Sequence, residues 1–160
     1  MNVSYGSIAT RTDFDNTTMD LTELERDLVV RLVAGDPDEA IFLQQLAVAS
    51  VRERNREGMA LYIWFDFPER APTLSTRAEL SLRSNKFVLV HPDVEAACMA
   101  VLEISGGRLS YLDCYTMACD DWPVNSSGLK ILTVKPIETA TGWFIPAEQF
   151  SRDKWVETEK

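Results

Sequence analysis

Few side chains in this sequence could do chemistry, and the first is its single histidine, His91. Acid–base and nucleophilic catalysis need groups that titrate near neutral pH, or groups activated by them. His91 ends an apolar run, where we expect a partly solvated ring. One imidazole cannot build a multi-histidine metal site, and the sequence has neither a GxSxG nor an HExxH motif.

The three cysteines are the next reactive groups: Cys98, Cys114 and Cys119. An odd number without a CxxC pair predicts neither a disulfide framework nor a zinc knuckle. Two consecutive aspartates follow Cys119, and carboxylates beside a thiol raise its pKa rather than lower it. We therefore predict a protein that is not an enzyme and has no catalytic residue, metal or cofactor.

A pair of carboxylates is a further catalytic arrangement, and Glu103 and Asp113 flank a Gly-Gly turn. A two-residue turn at this point pairs Glu103 with Ser110. Side chains alternate along a strand, so this register predicts the two carboxylates on opposite faces and excludes a glycosidase-type pair. Asp113 then shares its face with Tyr111 and Tyr115.

Aromatic and acidic residues gather between Tyr111 and Pro123. Tyrosine and tryptophan are frequent anchors of protein interfaces, and carboxylates around them suit a basic partner. The predicted partner-binding residues are Asp113, Tyr115, Asp120, Asp121 and Trp122. In the alternative interpretation, Trp122-Pro123 fills an edge of the core and the aspartates keep a turn soluble.

Arg52, Arg54 and Arg56 are the only cluster of basic residues. In a regular strand all three point the same way and form a small positive stripe. We expect the stripe to pair with nearby carboxylates such as Glu53 or the Asp120-Asp121 segment, or to contact an anionic ligand.

Composition narrows the class of protein. The chain has 160 residues, of which 46% are hydrophobic and 26% charged, a mixture typical of globular domains. Sixteen basic and twenty-five acidic residues give a formal charge of −9, which disfavours binding to nucleic acid or to an anionic membrane. The N-terminus lacks a secretory signal pattern and no long apolar run follows, so we expect a cytoplasmic protein.

The spacing of the apolar residues and the turn residues between them predict one domain over residues 1–160. It begins with an arm at 1–19 and a helical hairpin at 20–48. Asp20 or Thr22 can cap the first helix, whose leucines and valines recur at helical spacing. Gly35 suits the turn after it. Asp36 is predicted to cap the second helix. We expect that helix to bury Ala40, Leu43 and Ala47 on one side, with Ile41 or Leu46 beside them.

Residues 49–145 predict a mainly antiparallel sheet of about five to six strands, and 146–160 a tail with a short helical turn. Both faces of the stretch 59–67 are largely apolar, which favours a central strand covered on both sides. The residues on either side of Gly106-Gly107 predict a hairpin, and 142–145 predicts an edge strand. The expected fold class is α+β, with the helical hairpin packed on the sheet.

The segment from Gly106 to Tyr115, followed by Trp122-Pro123, resembles the G-x-L-x-x-L-E-x-Y…W-P signature of a group of small uncharacterised bacterial proteins. Those proteins begin with a helical hairpin and continue with an aromatic-rich strand, to which 64–67 is similar. Asp113 stands where the group has Glu, and Cys114 where it has Gly. The resemblance implies an α+β fold and, in style, an immunity protein that neutralises a basic toxin domain.

Three functions follow from these patterns. The leading hypothesis is a non-catalytic module that binds a basic protein partner, with salt-sensitive association that depends on Asp120 and Asp121. One alternative is a small ligand-binding protein or enzyme, with a pocket between helices and sheet. Its candidate pocket residues are Tyr62, Trp64, Asp66 and His91. The other alternative is a subunit of a homodimer or larger homo-oligomer that extends the apolar strand 59–67 into an interface.

Overall fold

A computed structural model describes residues 18–118 and 120–150 of the chain. Two helices pack on one face of an antiparallel sheet of seven strands, and a separate two-stranded hairpin follows. The predicted α+β class and N-terminal helical hairpin are confirmed. The sheet exceeds the expected five to six strands because it includes pieces of only three and four residues.

The helices are α1, Glu23–Val33, and α2, Glu39–Val48. The strands of the main sheet are β1 Ser50–Glu57, β2 Ala60–Asp66, β3 Leu80–Leu82, β4 Phe87–Val90, β5 Cys98–Ser105, β6 Arg108–Thr116 and β7 Lys130–Thr133. Their order is β1-β2-β6-β5-β4-β7, and β3 also pairs with β5. The stretch expected to add an edge strand pairs elsewhere: β8, Ile137–Thr139, and β9, Gly142–Phe144, form their own sheet.

Most of the predicted arm, residues 1–17, lies outside the described residues, as do Cys119 and residues 151–160 of the predicted tail. Within the described part, the Met19 and Val51 backbones exchange hydrogen bonds of 2.8 and 2.7 Å. The expected helical turn in the tail is present as a short 3-10 helix, Ala147–Gln149.

The first helix follows its sequence prediction closely. Thr22 caps it: its hydroxyl accepts from the Glu25 N–H at 3.2 Å, and the Glu25 carboxylate accepts from the Thr22 N–H at 2.8 Å. Of the expected apolar stripe, Leu24 is half-buried, and the other members are buried: Leu21, Leu28, Val29, Leu32 and Val33. Gly35 follows with a φ of 80°, a conformation that costs glycine little.

The second helix buries a different face from the one predicted, although Leu46, which was expected beside that face, is buried. Ala40 and Ala47 are exposed. The buried residues of α2 are Phe42, Gln45 and Leu46. Because α2 is apolar on nearly every side, the spacing of its apolar residues does not select one face. Gln45 is buried although it is polar, since its amide hydrogen-bonds to three backbone groups beneath the helix.

The turn between the helices is held by Arg77, from the long loop after β2. Its guanidinium donates to the Asp36 carboxylate at 2.7 and 3.0 Å and to Asp38 at 2.8 Å. The prediction that Asp36 caps α2 is wrong, because the helix begins at Glu39 with Asp38 as its N-cap residue. The hydrogen bond from Arg77 is the main cause that lowers the pKa of Asp36, and it outweighs the opposing effect of burial.

Replacing Arg77 with glutamine is expected to destabilise the protein at neutral pH and progressively less in acid. The folded pKa of Asp36 lies below its ordinary value of 3.8, so this contribution is present above that value and is lost as the pH falls through the folded pKa. Urea unfolding of both proteins over a series of pH values measures the difference. Arg70→Gln, an exposed arginine of the same loop, is the control. If Arg77→Gln lowers the free energy of unfolding by the same amount at every pH, the ionisation of Asp36 does not account for the effect.

The two faces of the main sheet are covered differently. The helices bury one face, which we call the helix-covered face. On the other face a second cluster covers the side of β4 and β7; it comprises Val88, Val90, Ala97 and Val134, with Met99, Leu132, Ile145 and Phe150 packed against them. The expectation that β2 is covered on both sides is therefore wrong, because its second face stays half-exposed. We call this uncovered part the open face; it carries Tyr62, Trp64, Tyr111, Asp113 and Tyr115.

Candidate functional site

The open face presents an ordered group of aromatic rings. Neighbouring strands pair Tyr62 with Asp113 and Trp64 with Tyr111. The Trp64 and Tyr111 ring centroids lie 4.3 Å apart, and Tyr62 meets Tyr111 edge-on at 6.1 Å. Such contacts contribute about 0.5–1.5 kcal/mol beyond burial, so the rings hold one another in place on the sheet.

The hairpin register differs from the prediction because of a β-bulge. Glu103 pairs with Tyr111 rather than with Ser110, while Ile104 pairs with Leu109. Ser110 is therefore the extra residue on β6. Since Tyr111 and Asp113 share a face, Glu103 also lies on the open face. The prediction that Glu103 and Asp113 lie on opposite faces is wrong, so the strand register does not exclude them as a carboxylate pair.

Asp113 occupies a negative and partly desolvated environment. Burial raises its pKa, the nearby Glu103 raises it further, and Arg83 lowers it. The pKa of Tyr111 is raised as well, first by burial and then by the charges of Glu103 and Asp113. No residue of the described ranges 18–118 and 120–150 donates a hydrogen bond to the Asp113 carboxylate. An added cation beside these two carboxylates would relieve their repulsion.

The three arginines of β1 do not form one stripe, because the strand bulges near its start. The Arg52 guanidinium lies 5.5 Å from the ring centroid of Trp64 on the open face. Arg54 and Arg56 belong to the helix-covered face. Arg54 pairs with Glu25 of α1 through two bonds of 2.6 and 2.8 Å, rather than with the carboxylates named from the sequence.

The predicted partner-binding residues separate into two groups. Asp113 and Tyr115 lie on the open face, and Asp120 and Asp121 lie at or near the surface beyond the end of β6. Trp122 is only 1% exposed and belongs to the core, so its side chain cannot contact a partner at the surface. This is the position given by the alternative interpretation, in which Trp122-Pro123 fills an edge of the core.

The path of the chain explains the burial of Trp122. Its backbone N–H donates to the carbonyl of Gly58 at 2.9 Å, which ties the segment to the turn between β1 and β2. Sequence reasoning did not single out two exposed residues near this turn, Met59 and Met117, which are 48% and 59% exposed. The Thr116 N–H donates to the Met59 carbonyl, so the two methionines lie near each other at the end of β6.

His91 is buried and held by backbone groups. It is 3% exposed, so the expectation of a partly solvated ring is wrong. Its Nδ1 accepts from the Asp93 N–H at 3.0 Å, which leaves the proton on Nε2. Nε2 then donates to the Asn125 carbonyl at 2.7 Å. Both ring nitrogens are thus occupied by the backbone.

The two described thiols are buried. Burial raises the pKa of Cys98 to about 11, with a smaller contribution from the charge of Asp120. Burial raises the pKa of Cys114 as well. Both sulfurs therefore remain protonated and poorly nucleophilic at neutral pH. Within the part of the chain that the structure describes, no group of three or more histidine, cysteine, aspartate or glutamate residues is placed to hold a metal ion.

A cleft of about 620 Å³ opens on the other side of the sheet, between α1, the first two strands and the segment 122–129. It is lined by Thr22, Leu24, Glu25, Leu28, Arg54, Arg56, Leu61, Ile63, Leu89, Cys114, Trp122, Pro123, Val124, Ser126, Ser127 and Leu129. The candidate pocket residues named from the sequence, Tyr62, Trp64, Asp66 and His91, do not line it.

Comparison with known proteins finds no matching family model, curated protein or solved structure. The resemblance to small bacterial proteins with the G-x-L-x-x-L-E-x-Y…W-P signature therefore stays a hypothesis. Among the described residues, no helix is long and apolar enough to span a membrane.

Proposed function

We propose that this protein is a non-catalytic binding protein that holds a basic protein partner on its open face, in the manner of an immunity protein. The observation that supports this function best is the cluster of half-exposed rings, Tyr62, Trp64 and Tyr111, beside the carboxylates of Glu103 and Asp113. Ordered aromatic rings are favoured anchors because they bury a large area at a small cost in conformational entropy.

Charge favours a basic partner. The repulsion between Glu103 and Asp113 is offset in part by Arg83, and a lysine or arginine of the partner would offset the remainder. The formal charge of −9 would also speed the encounter with a cationic protein. Asp120 and Asp121, with the exposed Met59 and Met117 close by, would extend the contact beyond the end of β6.

The state of the reactive groups supports binding rather than catalysis. His91 is committed to backbone groups on both nitrogens, and Cys98 and Cys114 are buried thiols. Free thiols suit a reducing compartment, so we place the function in the cytoplasm. β2 lies between β1 and β6, so a second copy of the chain cannot pair with it edge to edge. A homodimer built on β2 would have to pack on the open face, where it would compete with the basic partner.

The test uses the immobilised full chain and a lysate of cells that carry its gene. A basic protein should be retained, and its affinity should fall with salt. Trp64→Ala should weaken binding about thirtyfold, as loss of an anchor does. Trp143→Ala, an exposed tryptophan on β9, is the matched control and should bind normally. An acidic partner, self-association alone, or equal affinity of the two tryptophan variants contradicts the proposal.

Replacing Asp113 with asparagine is expected to stabilise the protein and to weaken partner binding. Its folded pKa lies above the ordinary value of 3.8, so ionisation opposes folding as the pH rises through the folded pKa, and the neutral amide removes that cost at pH 7. Thermal unfolding and titration calorimetry measure the two effects. Asp20→Asn, an exposed aspartate before α1, is the control. A general disturbance of the fold would lower both stability and affinity, so a loss of both contradicts this role.

A further inference from the structure

We propose that the cleft on the helix-covered face binds a small apolar carboxylate, a molecule with a hydrocarbon body and one anionic head group. This site is separate from the open face, because side chains alternate along β2. Leu61 and Ile63 of that strand line the cleft, whereas Tyr62 and Trp64 lie on the opposite side of the sheet.

The walls of the cleft suit a hydrocarbon. Its volume of about 620 Å³ falls within the range of about 300–1,000 Å³ in which proteins hold small molecules. The apolar side chains that line it from α1 and the sheet are Leu24, Leu28, Leu61, Ile63 and Leu89. Leu129 and Trp122 close it from the segment after β6. Apolar walls of this extent bind hydrocarbon and reject a wholly polar ligand.

The charged residues of the cleft leave one positive charge without a counter-charge. Arg54 is neutralised by the Glu25 carboxylate, at 2.6 and 2.8 Å. Arg56 donates to the carbonyl of Trp122 at 3.3 Å. No carboxylate of the described residues lies within 4 Å of its guanidinium, which has five donors to satisfy. An anionic group bound in the cleft would fill this role, whereas an ammonium group would be repelled.

A second donor in the same wall lacks an acceptor. The indole Nε1–H of Trp122 is buried and makes no hydrogen bond within the part of the chain that the structure describes. Buried polar groups of proteins nearly always make a hydrogen bond, so a buried donor without one is unusual. Arg56 is exposed at the edge of the cleft, where its charge has no counter-ion among the described residues, and the Nε1–H of Trp122 is the buried donor without a partner. Together they indicate a ligand head group that is anionic and accepts hydrogen bonds. A carboxylate accepts several and carries the matching charge.

The test is a calorimetric titration of the full chain with three ten-carbon probes: decanoate, decanol and decylammonium. Decanoate should bind most tightly. Arg56→Gln should weaken decanoate binding about tenfold or more, as expected for the loss of a charged hydrogen bond, and leave decanol binding unchanged. Arg26→Gln removes the same charge from the exposed side of α1 and should bind decanoate normally.

Fluorescence locates the ligand. Decanoate with bromine on carbon 2, next to the head group, should quench the emission of Trp122, and the quenching should disappear in Trp122→Phe but persist in Trp143→Phe. The proposal is overturned by an absence of saturable decanoate binding, by equal binding of decanoate and decylammonium, or by equal loss in the Arg56 and Arg26 variants. If Trp122→Phe does not fold, the calorimetric comparison of the two arginine variants decides alone.

Discussion

Replacing Gly107 with alanine is expected to prevent stable folding, with a loss of more than about 4 kcal/mol. Gly107 has a φ of 75°, and a Cβ atom there would lie 2.0 Å from the carbonyl oxygen of Leu74. The obstacle is backbone, so a side-chain rotation cannot relieve it. Gly106 has a φ of 58° with nothing within 4 Å of an added Cβ, so Gly106→Ala should cost only about 1–2 kcal/mol.

The backbone around Gly107 has little freedom to move away. Its N–H donates to the Ala78 carbonyl, and its own carbonyl accepts from the Leu74 N–H, both at 3.0 Å. A shift that relieved the clash would break these bonds between the hairpin and the loop after β2. Circular dichroism and urea unfolding of the two alanine variants measure the effect. If both variants unfold at the same urea concentration, the close approach to Leu74 does not constrain the fold.

Replacing Gln45 with leucine is expected to lower the free energy of unfolding by about 3 kcal/mol. The Gln45 amide donates to the carbonyls of Pro72 and Gly107 and accepts from the Leu109 N–H, each at 2.9 Å. Leucine has a similar size but cannot make these bonds. The Leu109 N–H would then be left buried without an acceptor, which is the largest part of the cost.

The neighbouring residue supplies the control. Gln44 is exposed on the same helix, so Gln44→Leu should change stability by no more than about 0.5 kcal/mol. Urea unfolding of the two variants measures the difference. If the two variants lose the same free energy of unfolding, the buried hydrogen bonds of Gln45 make no net contribution to stability. Together, Gln45 and Gly107 tie α2 to the hairpin that carries Tyr111, Asp113 and Tyr115 of the open face.

The sheet separates the two proposed binding sites. Alternate residues of β2 and β6 serve opposite faces, so Leu61 and Cys114 line the cleft while Tyr62 and Asp113 belong to the open face. A partner on one face and a ligand on the other would contact the same two strands without touching each other. Variants of Trp64 and of Arg56 therefore test the two proposals independently.

Local signals in the sequence were sufficient for the helical hairpin and for much of the sheet. The capping box of Thr22 and Glu25 and the turn at Gly35 involve residues within a few positions of one another, so the sequence alone predicts them. The buried face of α2 could not be predicted in the same way. Gln45 is buried because its partners come from distant parts of the chain, and spacing within the helix carries no information about them.

For the candidate site, the residue types alone show that reactive groups are few. The shared face of Tyr111, Asp113 and Tyr115 was also predictable, since alternation along a strand is local. Only the tertiary structure placed Glu103 beside Asp113, because a bulge that shifts the register arises from the packing of whole strands. The burial of Trp122 also depends on a contact between distant parts of the chain. The chain reaches the core there by pairing with a turn that lies more than sixty positions earlier.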